Sequence, residues 1–375
     1  MKNILIFYAS YGGGHLNAAK SINEYIVNNY KDTNTEMIDC MKYVNKTVEK
    51  LTTAAYREAA KRAPWVWGEI YNASQKGTLA HLSTRSNKIL AIKLLQLLKE
   101  KKPDLIISTH PFSSQMCSYL KRKGKITAKI ATIMTDFAPH DQWLVGSDFT
   151  DYYFVANDKM KNYLISKDIP QKNIHVTGIP LSSRFLNKYN KNEILNNLGF
   201  ENDKRNILFF GGGEFGLGKS RTFEIFEHLV KNYNDVQILA IAGKNEKMKL
   251  KFKEIVEQND AKKHVKIFGF TKLIPEFMSI ADLVVTKPGG MTTTESLACS
   301  LPMLVINPIP GQEEENAQFL EEKGIAIWLK KDDDISKILN DLFSNSDKLS
   351  QMKENTKLLA HPNSTENICN ILLNN

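Results

Sequence analysis

One glycine-rich segment of this chain has the residue types and spacing that bind phosphate groups. Residues 206–220, NILFFGGGEFGLGKS, read as G-x-G-x-x-G from Gly211 and as G-x-x-x-x-G-K-S from Gly213. The first pattern is typical of dinucleotide-binding proteins and the second of nucleoside-triphosphate P-loops, because glycine lets backbone N–H groups approach a phosphate closely. The chemistry that this segment predicts is recognition of a nucleotide.

Neither pattern is complete in this chain. A P-loop enzyme needs an aspartate at the end of a later strand to hold magnesium, and the later apolar runs end near Gly243, Pro288 and Pro308 instead. A dinucleotide site needs an acidic residue near the end of the next strand to bind ribose. The chain has Lys244 and Asn245 there. What remains is a glycine turn suited to a diphosphate without a dedicated metal cage.

Further polar groups follow the later apolar runs of the same half. The turn TKPGG places the backbone N–H groups that follow Gly289 and Gly290 at a helix start, where they can hold phosphate. Glu295, one turn into that helix, can accept both ribose hydroxyls. Gln312 and Glu313 follow the next strand and are placed to bind sugar hydroxyls, since ligands of open α/β sheets collect at the carboxyl ends of the strands.

The elements that position these groups alternate along the chain. Short apolar runs separated by helical patterns occur at NILIFYAS, DLIIST, KIATIMTD and DYYFVAN, and again at NILFFGGG, VQILAIAG, HVKIFGF, ADLVVTKPGG and LPMLVINP. This rhythm predicts parallel sheets with crossover helices. Each half also opens with a strand that leads into three glycines. The expected fold class is α/β, with two Rossmann-like domains facing each other across a cleft, the plan of a GT-B glycosyltransferase.

Length and composition agree with two domains. The chain has 375 residues, of which 42% are hydrophobic and 24% charged, and is long enough for two separate cores. We predict a first domain over residues 1–180, a linker over 181–204 and a second domain over 205–355. A C-terminal helix over 356–375 would cross back to pack on the first domain, as in many GT-B enzymes.

Cysteine spacing and the N-terminus indicate the compartment. Cys40, Cys117, Cys299 and Cys369 have no C-x-x-C spacing, which favours packing residues in a reducing compartment over a zinc site. The first residues read as a buried strand and not as a signal peptide, and no segment is long and apolar enough to span a bilayer. A cytoplasmic location is expected.

The basic charge of the chain is concentrated in its first half. Residues 1–180 carry 25 Lys and Arg against 15 Asp and Glu, whereas residues 181–375 carry 25 against 26. Such asymmetry predicts that the first domain faces a polyanion, either nucleic acid or an anionic membrane surface. A nucleic-acid binder would need a basic groove with stacking aromatic residues. The nucleotide-binding turns argue against that alternative.

The motifs together resemble a known family. GGGHLNAA, MTDFAPHDQW, VTGIP, FGGGEFG, AGKNEK, TKPGGMTTTES and IPGQEEENA are similar to segments of the monogalactosyldiacylglycerol synthase and processive diacylglycerol glucosyltransferase family, glycosyltransferase family 28. This family is related to the transferase that adds N-acetylglucosamine to lipid I. The motifs run in order through both halves and are specific only in combination. The resemblance implies an inverting transferase that moves a hexose, glucose or galactose, from a UDP-sugar to the hydroxyl of diacylglycerol.

The resemblance implies a donor site in the second domain. By motif position its residues are Gly212, Gly213, Glu214, Asn245, Phe270, Lys287, Gly289, Gly290, Glu295, Gln312 and Glu313. Asn245 and Phe270 fall in segments near the uracil, and Lys287 with helix N-termini would stabilise the charge on the leaving UDP. No D-x-D stands at a strand end, so we expect neither a metal nor a cofactor. The run Asp332–Asp334 is expected to cap the helix ISKILNDLF.

The resemblance places acceptor binding and catalysis in the first domain. The motif positions are Gly13, Gly14, His15, Asp136, His140 and Trp143. Inverting transfer needs a base that takes the proton of the acceptor hydroxyl as it attacks the anomeric carbon from the face opposite UDP. We expect His15 to be this base, because imidazole is half-neutral near physiological pH, with Asp136 orienting or replacing it. His110 is also expected where residues of the cleft would lie.

Residues 43–77 resemble the membrane-facing insertion of the family. Cationic and aromatic residues stand together there, as Arg57, Lys61, Arg62, Trp65 and Trp67. This combination suits the headgroup region, and each cation near an anionic leaflet contributes about 1 kcal/mol. We therefore expect peripheral binding to the inner face of the cell membrane. The expected partners are a UDP-hexose, diacylglycerol or its glycosylated form, and an anionic membrane surface, but no nucleic acid.

Several alternatives remain open at this point. A P-loop NTPase would bind ATP and magnesium through Lys219 and Ser220. A UDP-N-acetylglucosamine 2-epimerase would use the same donor domain without lipid, and a lipid-linked N-acetylglucosaminyltransferase would use a different sugar. A non-catalytic membrane protein that senses UDP-sugars would bind the donor without turnover.

Overall fold

A computed structural model of the chain describes residues 1–10, 13–44, 91, 93–146, 148–212 and 219–374. These residues form two compact units. The first contains the described residues up to Ser182 together with those from His361 onward, and the second contains Ser183–Ala360. In the described part of the chain, no helix is both long and apolar enough to cross a bilayer.

Each unit is built on a six-stranded, entirely parallel sheet. The first has the order β2-β1-β3-β4-β5-β6 and the second the order β12-β11-β10-β7-β8-β9. The strands are β1 (Lys2–Tyr8), β2 (Thr33–Asp39), β3 (Leu105–Ser108), β4 (Lys129–Ile133), β5 (Tyr152–Val155), β6 (Ile174–Val176), β7 (Arg205–Phe210), β8 (Val236–Ile241), β9 (Val265–Phe268), β10 (Leu283–Thr286), β11 (Met303–Ile306) and β12 (Ala326–Leu329).

Helices connect these strands and cover the sheets. They are α1 (Gly14–Asn29), α2 (Cys40–Val44), α3 (93–101), α4 (Pro111–Arg122), α5 (Asp158–Ser166), α6 (Lys191–Leu198), α7 (Lys219–Asn232), α8 (Glu246–Gln258), α9 (Ile274–Ile280), α10 (Gly290–Ala298), α11 (Gln312–Glu322), α12 (Ile335–Ser344), α13 (Ser346–Leu359) and α14 (Ser364–Leu373). In the first unit, α1 and α14 pack on one face of the sheet, and α2, α3 and α4 pack on the other. In the second unit, α7, α8 and α12 share one apolar core with the sheet.

The strand order reverses once in each sheet, and this reversal positions the candidate site. The first sheet runs from β1 to β2 on one side and continues with β3 on the other side of β1. The second sheet places β8 and β10 on opposite sides of β7. Loops leaving the carboxyl ends of the strands diverge at a reversal, and ligands of open α/β sheets bind there. Hence β1 with β3, and β7 with β10, mark where a ligand is expected in each unit.

The predicted fold class is confirmed, and every apolar run predicted as a strand contains one. Three strands were missed, namely β2, β6 and β12. All three lie at the edge of a sheet and are partly exposed. An edge strand has one neighbour, so it needs fewer apolar side chains, and the apolar signal in the sequence is correspondingly weak.

The predicted linker and the predicted C-terminal helix lie mostly in different units. Residues 181–204, the expected linker, contain α6, and from Ser183 onward they belong to the second unit. The C-terminal helix α14 belongs to the first unit, where Tyr30 donates to Asn370 Oδ1 at 2.7 Å and Ser364 donates to the carbonyl of Ile179 at 2.7 Å.

As predicted, Asp334 caps α12, accepting from the N–H of Lys337 at 3.1 Å. The four cysteines are free thiols.

Gly178, in the VTGIP motif, is expected to be required for the packing of the C-terminal segment. Its φ is +80°, and a Cβ at this position would lie 2.4 Å from the Cβ of His361. We expect Gly178→Ala to lower the free energy of unfolding by about 2–4 kcal/mol, because overpacking adds to the strain of a left-handed backbone. Urea unfolding measures this change.

Gly124→Ala is the matched control for Gly178→Ala. Gly124 lies in the same unit with φ +63°, but a Cβ there meets no atom within 4 Å. It therefore carries the backbone strain without the steric contact, and we expect a smaller loss. Equal losses for the two variants would contradict the packing argument.

Candidate active site

His15 lies in the first turn of α1, directly after the glycine turn that follows β1. Its Nδ1 lies 2.6 Å from the carbonyl oxygen of Thr109 and 3.0 Å from Oγ1 of Thr135. A carbonyl oxygen can only accept a hydrogen bond, so this network assigns the proton to Nδ1 and leaves the lone pair on Nε2. A general base needs this tautomer, with one nitrogen held and the other able to accept a proton.

Three neighbouring strands bring these groups together. Thr109 directly follows β3, Thr135 lies two residues after β4, and His15 follows β1. Thr109 also donates its hydroxyl to the carbonyl of His15 at 2.9 Å, so the two turns are joined in both directions. The imidazole is thereby fixed at the carboxyl edge of the sheet, beside the reversal of strand order. Thr109 and Thr135 were not singled out from the sequence, since they lie far from His15 in the chain.

The charge state of His15 differs from the sequence-based expectation. Part of the residue remains exposed, but the surrounding protein desolvates the ring. This burial lowers the pKa of His15 to about 4. The hydrogen bond to the Thr109 carbonyl acts in the opposite direction and is the smaller effect. The imidazole is therefore fully neutral at physiological pH and not half-neutral. Nε2 is available as an acceptor at every pH from about 5 upward.

His110 caps α4, and His140 caps the short helical segment Asp141–Trp143. Nδ1 of His110 accepts from the N–H of Phe112 at 3.3 Å, and Nδ1 of His140 accepts from the N–H of Gln142 at 3.0 Å. Each ring therefore carries its proton on Nε2. The His110 ring lies edge-on to that of His15, with 4.6 Å between centroids. Burial lowers the pKa of His140 to about 4 and that of His110 well below its usual value, so both are neutral donors.

Asp136 and Trp143 are buried beside this histidine group. The indole N–H of Trp143 lies 3.4 Å from Oδ2 of Asp136, and its ring centroid lies 6.3 Å from that of His15. Trp143 is only 2% exposed, so it supports the site from within and does not face solvent. Of the two glycines predicted at the acceptor, Gly13 is the N-cap of α1 and Gly14 is its first residue.

Two residues that follow β7, Gly211 and Gly212, must be glycine for different reasons. A Cβ on Gly211 would lie 2.2 Å from Sδ of Met248 and 2.7 Å from Cζ of Phe252, so this glycine allows α8 to pack closely against the strand. Gly212 has φ +94°, a conformation that favours glycine. The predicted donor residues Gly213 and Glu214 lie outside the described residues, as do Arg57, Lys61, Arg62, Trp65 and Trp67 of the predicted membrane-facing segment.

The KPGG turn after β10 ends in the start of α10. Gly289 is the N-cap of this helix and supplies no side-chain cap, and a Cβ on it would meet no atom within 4 Å. The first-turn N–H groups, beginning at Gly290, are thus suited to an anion. The buried Asn316 of α11 donates its amide to the carbonyl of Pro288 at 3.1 Å and holds the turn in place. In the sequence, only its position within the motif IPGQEEENA pointed to Asn316.

Lys287 and Glu313 carry opposite charges at the same edge and influence each other electrostatically. Burial lowers the pKa of Lys287 and raises that of Glu313, and each charge opposes the shift of the other. Oε2 of Glu313 also accepts from the N–H of Ile309 at 2.7 Å, which fixes its carboxyl group. Gln312, the first residue of α11, is partly exposed beside it. A partly desolvated lysine beside a carboxylate can stabilise a diphosphate that enters next to it.

Glu295 lies in α10, and the protein around it desolvates its carboxyl group. This burial raises the pKa of Glu295 to about 8, although part of the residue remains exposed. The carboxyl group is therefore largely protonated at neutral pH before any ligand binds. Hydroxyl groups that donate to the carboxylate would favour its ionised form.

Asn245 and Phe270, predicted near the uracil, follow neighbouring strands. Asn245 caps α8, with Oδ1 accepting from the N–H of Met248 at 3.1 Å. Phe270 is 68% exposed, and Nζ of Lys244 lies 5.6 Å from its ring centroid. An exposed aromatic ring of this kind offers a surface on which a nucleobase can stack.

The predicted donor residues that are described gather at the carboxyl edge of the second sheet. Gly212 follows β7, the KPGG turn and Glu295 follow β10, and Gln312 and Glu313 follow β11. Among the described residues, no three His, Cys, Asp or Glu side chains converge in a way that could hold a metal ion. The arrangement offers a phosphate-binding turn, a cation and carboxyl groups for hydroxyls along one edge.

Comparison with known proteins identifies the family. The family model for monogalactosyldiacylglycerol (MGDG) synthase matches residues 15–181, and that for glycosyl transferases group 1 matches residues 190–359. The chain is 31% identical to a processive diacylglycerol β-glucosyltransferase of Bacillus licheniformis, over 97% of this chain and 93% of the relative. The protein of the same name from Bacillus subtilis is 30% identical, over 99% and 95%. This chain belongs to the MGDG synthase and processive diacylglycerol glucosyltransferase family.

Solved structures with the same fold are more distant in sequence. MurG of Acinetobacter baumannii has a TM-score of 0.67 and 16% identity, with all of both chains covered. UDP-GlcNAc 2-epimerase of Neisseria meningitidis, bound to UDP-GlcNAc, has a TM-score of 0.63 and 14% identity, again over both whole chains. These likenesses show the fold alone, which is GT-B as predicted.

The ionisation of Glu295 predicts a pH dependence of UDP binding. If the carboxylate accepts the ribose hydroxyls, its pKa falls when UDP binds, and binding releases a proton. The affinity for UDP is then highest above pH 8 and falls as the pH is lowered below about 8, by up to about tenfold per pH unit. Isothermal titration calorimetry between pH 7 and 9 measures this dependence.

Glu295→Gln is the matched variant for this experiment. It keeps the shape of the side chain and one accepting oxygen but removes the ionisation, so we expect the contribution of Glu295 to the pH dependence to vanish. Contributions from other groups, such as Lys287, are the same in both proteins and cancel in the comparison. Parallel pH profiles for wild type and Glu295→Gln would contradict a role for Glu295 in donor binding.

Proposed function

We propose that this protein is an inverting glycosyltransferase that moves a hexose from a UDP-sugar to the hydroxyl group of diacylglycerol, forming a membrane glycolipid. Glycosyl transfer to diacylglycerol follows from family membership. The UDP donor, the residue roles and the location on the inner face of the cell membrane are our proposal. The name β-glucosyltransferase carried by the relatives supports glucose over galactose.

The observation that carries the proposal is the state of His15. Its Nδ1 is held by the carbonyl of Thr109 at 2.6 Å, and its pKa is lowered to about 4 by burial. Nε2 is therefore a neutral acceptor at the edge of the sheet where a ligand is expected. In a family that glycosylates diacylglycerol, the group that must lose a proton is the acceptor hydroxyl, and Nε2 is the acceptor that we assign to that proton.

The proposed step is a single displacement. The hydroxyl oxygen of the lipid attacks the anomeric carbon while its proton moves to Nε2 of His15, and the bond from that carbon to the UDP oxygen breaks. The electron pair of this bond leaves with UDP. Attack from the face opposite UDP inverts the anomeric centre.

The second unit would bind the donor. We assign the diphosphate to the N–H groups at the start of α10 and to Lys287, whose charge compensates the negative charge that develops on UDP. Glu295 would accept the ribose hydroxyls, Phe270 would stack on the uracil, and Gln312 with Glu313 would bind the hexose hydroxyls. The proposal includes no metal ion and no cofactor, so activity is expected to persist in EDTA.

One assay tests the proposed function and the alternatives together. The purified protein is incubated with UDP-glucose, UDP-galactose or UDP-N-acetylglucosamine, with and without diacylglycerol in anionic micelles, and both UDP release and lipid mass are followed. We expect lipid-dependent UDP release and the addition of one hexose mass to diacylglycerol. Epimerised sugar without a lipid product, or ATP hydrolysis, would replace this proposal with one of the alternatives.

The catalytic role of His15 is tested by His15→Gln. The amide of glutamine is polar and similar in size, but it offers no nitrogen that can act as a base. We expect kcat to fall by about 10²- to 10⁴-fold, as for the loss of a general base, while UDP binding is retained. His175→Gln, on the edge strand β6, is the control and should leave kcat unchanged. A loss of less than about threefold in His15→Gln would exclude His15 as the base.

A further inference from the structure

A second polar cluster lies at the carboxyl edge of the first sheet. Tyr8 and Asp39 are the last residues of β1 and β2 and are paired across the sheet. Ser10 and Lys42 follow them in the chain. We name these four residues the Asp39 cluster. It includes the end of β1, the strand that precedes His15 in the chain, and none of the roles assigned above uses it.

The contacts of the Asp39 cluster fix one lysine in a defined position. Lys42 Nζ lies 3.0 Å from Ser10 Oγ and 3.4 Å from Asp39 Oδ2, and Ser10 Oγ donates to the same carboxylate oxygen. The other oxygen of Asp39 accepts from the N–H of Lys42 at 3.1 Å. The Asp39 side chain is 7% exposed, whereas that of Lys42 is 51% exposed. A buried carboxylate thus holds an ammonium group that faces solvent.

Part of the hydrogen-bonding capacity of the cluster remains open. An ammonium group has three N–H donors, of which Ser10 and Asp39 take two. The hydroxyl of Ser10 donates to Asp39 and accepts from Lys42, which leaves one lone pair. Burial, and then the charge of Asp39, raise the pKa of Tyr8, so its phenol remains a protonated donor.

The charge balance of the cluster indicates the kind of ligand. The formal charges of Asp39 and Lys42 cancel, so the cluster offers fixed donors and acceptors without a net charge. A site for phosphate would need a net positive charge, because the anion must be compensated when it loses water. A neutral molecule with several hydroxyl groups matches such a mixed set of donors and acceptors, as a sugar does.

We propose that the Asp39 cluster is a subsite for the sugar of a glycosylated acceptor lipid. This inference rests on the proposed function, because the product of the first transfer is a diacylglycerol that carries a neutral hexose. Diacylglycerol itself has a single free hydroxyl and nothing that would occupy the subsite. The cluster would hold the first hexose while one of its hydroxyls reaches the base, and so it would support a second transfer.

A comparison of two acceptor lipids tests the proposal. Wild type and Lys42→Met are given diacylglycerol or hexosyl-diacylglycerol in neutral mixed micelles, and kcat/KM is measured for each acceptor. Methionine keeps most of the length of lysine without its donors. We expect the ratio of kcat/KM for hexosyl-diacylglycerol to that for diacylglycerol to fall by about tenfold or more, the effect of losing a hydrogen bond from a charged group. Ser10→Ala should change the ratio in the same direction.

Lys121→Met is the matched control, since Lys121 pairs with Asp151 at 2.6 Å in the same unit but near the C-terminal end of α4. It should leave the ratio unchanged. An equal fall for both acceptors in Lys42→Met would show a structural role and overturn the proposal, as would an unchanged ratio. An effect confined to anionic micelles would assign Lys42 to an anionic headgroup instead.

The wild-type results separate this proposal from the proposed function. Wild type that glycosylates diacylglycerol but not hexosyl-diacylglycerol would overturn the subsite and leave the proposed function intact. Wild type that glycosylates neither lipid would overturn both.

Discussion

The parallel arrangement of each sheet is the constraint on which the candidate site depends. In a parallel sheet all strands end at the same edge, so residues far apart in the chain are delivered to one line of loops. The first unit uses this to place His15, Thr109 and Thr135 within hydrogen-bonding distance, although each follows a different strand. The second unit places the glycine turn, the KPGG turn and Glu313 along its edge in the same way.

Burial decides how these groups can act. Desolvation keeps the imidazole of His15 neutral and raises the pKa of Glu295 to about 8, so a base and a carboxylic acid are both present at neutral pH. The surroundings of His15 and Glu295 differ in whether a hydrogen-bond partner accompanies the desolvation. Nδ1 of His15 already has a carbonyl partner, whereas the cause of the Glu295 shift is desolvation by the protein. A ligand that brings hydroxyl donors to Glu295 would therefore change its ionisation, whereas the tautomer of His15 is set before the acceptor arrives.

Much of the fold could be predicted from the sequence, and with it the sheet edges at which the candidate residues lie, because buried strands and glycine turns have local signals. The run IFYASYGGGH identifies both the strand and His15. The hydrogen bond that fixes the tautomer of His15 could not be predicted, since Thr109 lies 94 residues away and carries no motif of its own. The same holds for Asn316, which acts through the carbonyl of Pro288, and for the packing of Gly211 against Met248. Edge strands such as β2 lack the apolar pattern that marks the central ones.

The configuration of the product tests the central claim most directly, because the claim is a single displacement assisted by one base. The glycolipid formed from an α-linked UDP-hexose is isolated, and the coupling constant of its anomeric proton is measured by NMR. The account predicts a β-linked product with no α anomer, as direct attack by the lipid hydroxyl inverts the anomeric carbon. An α-linked product would contradict it, because retention requires a different mechanism in which His15 does not act as proposed.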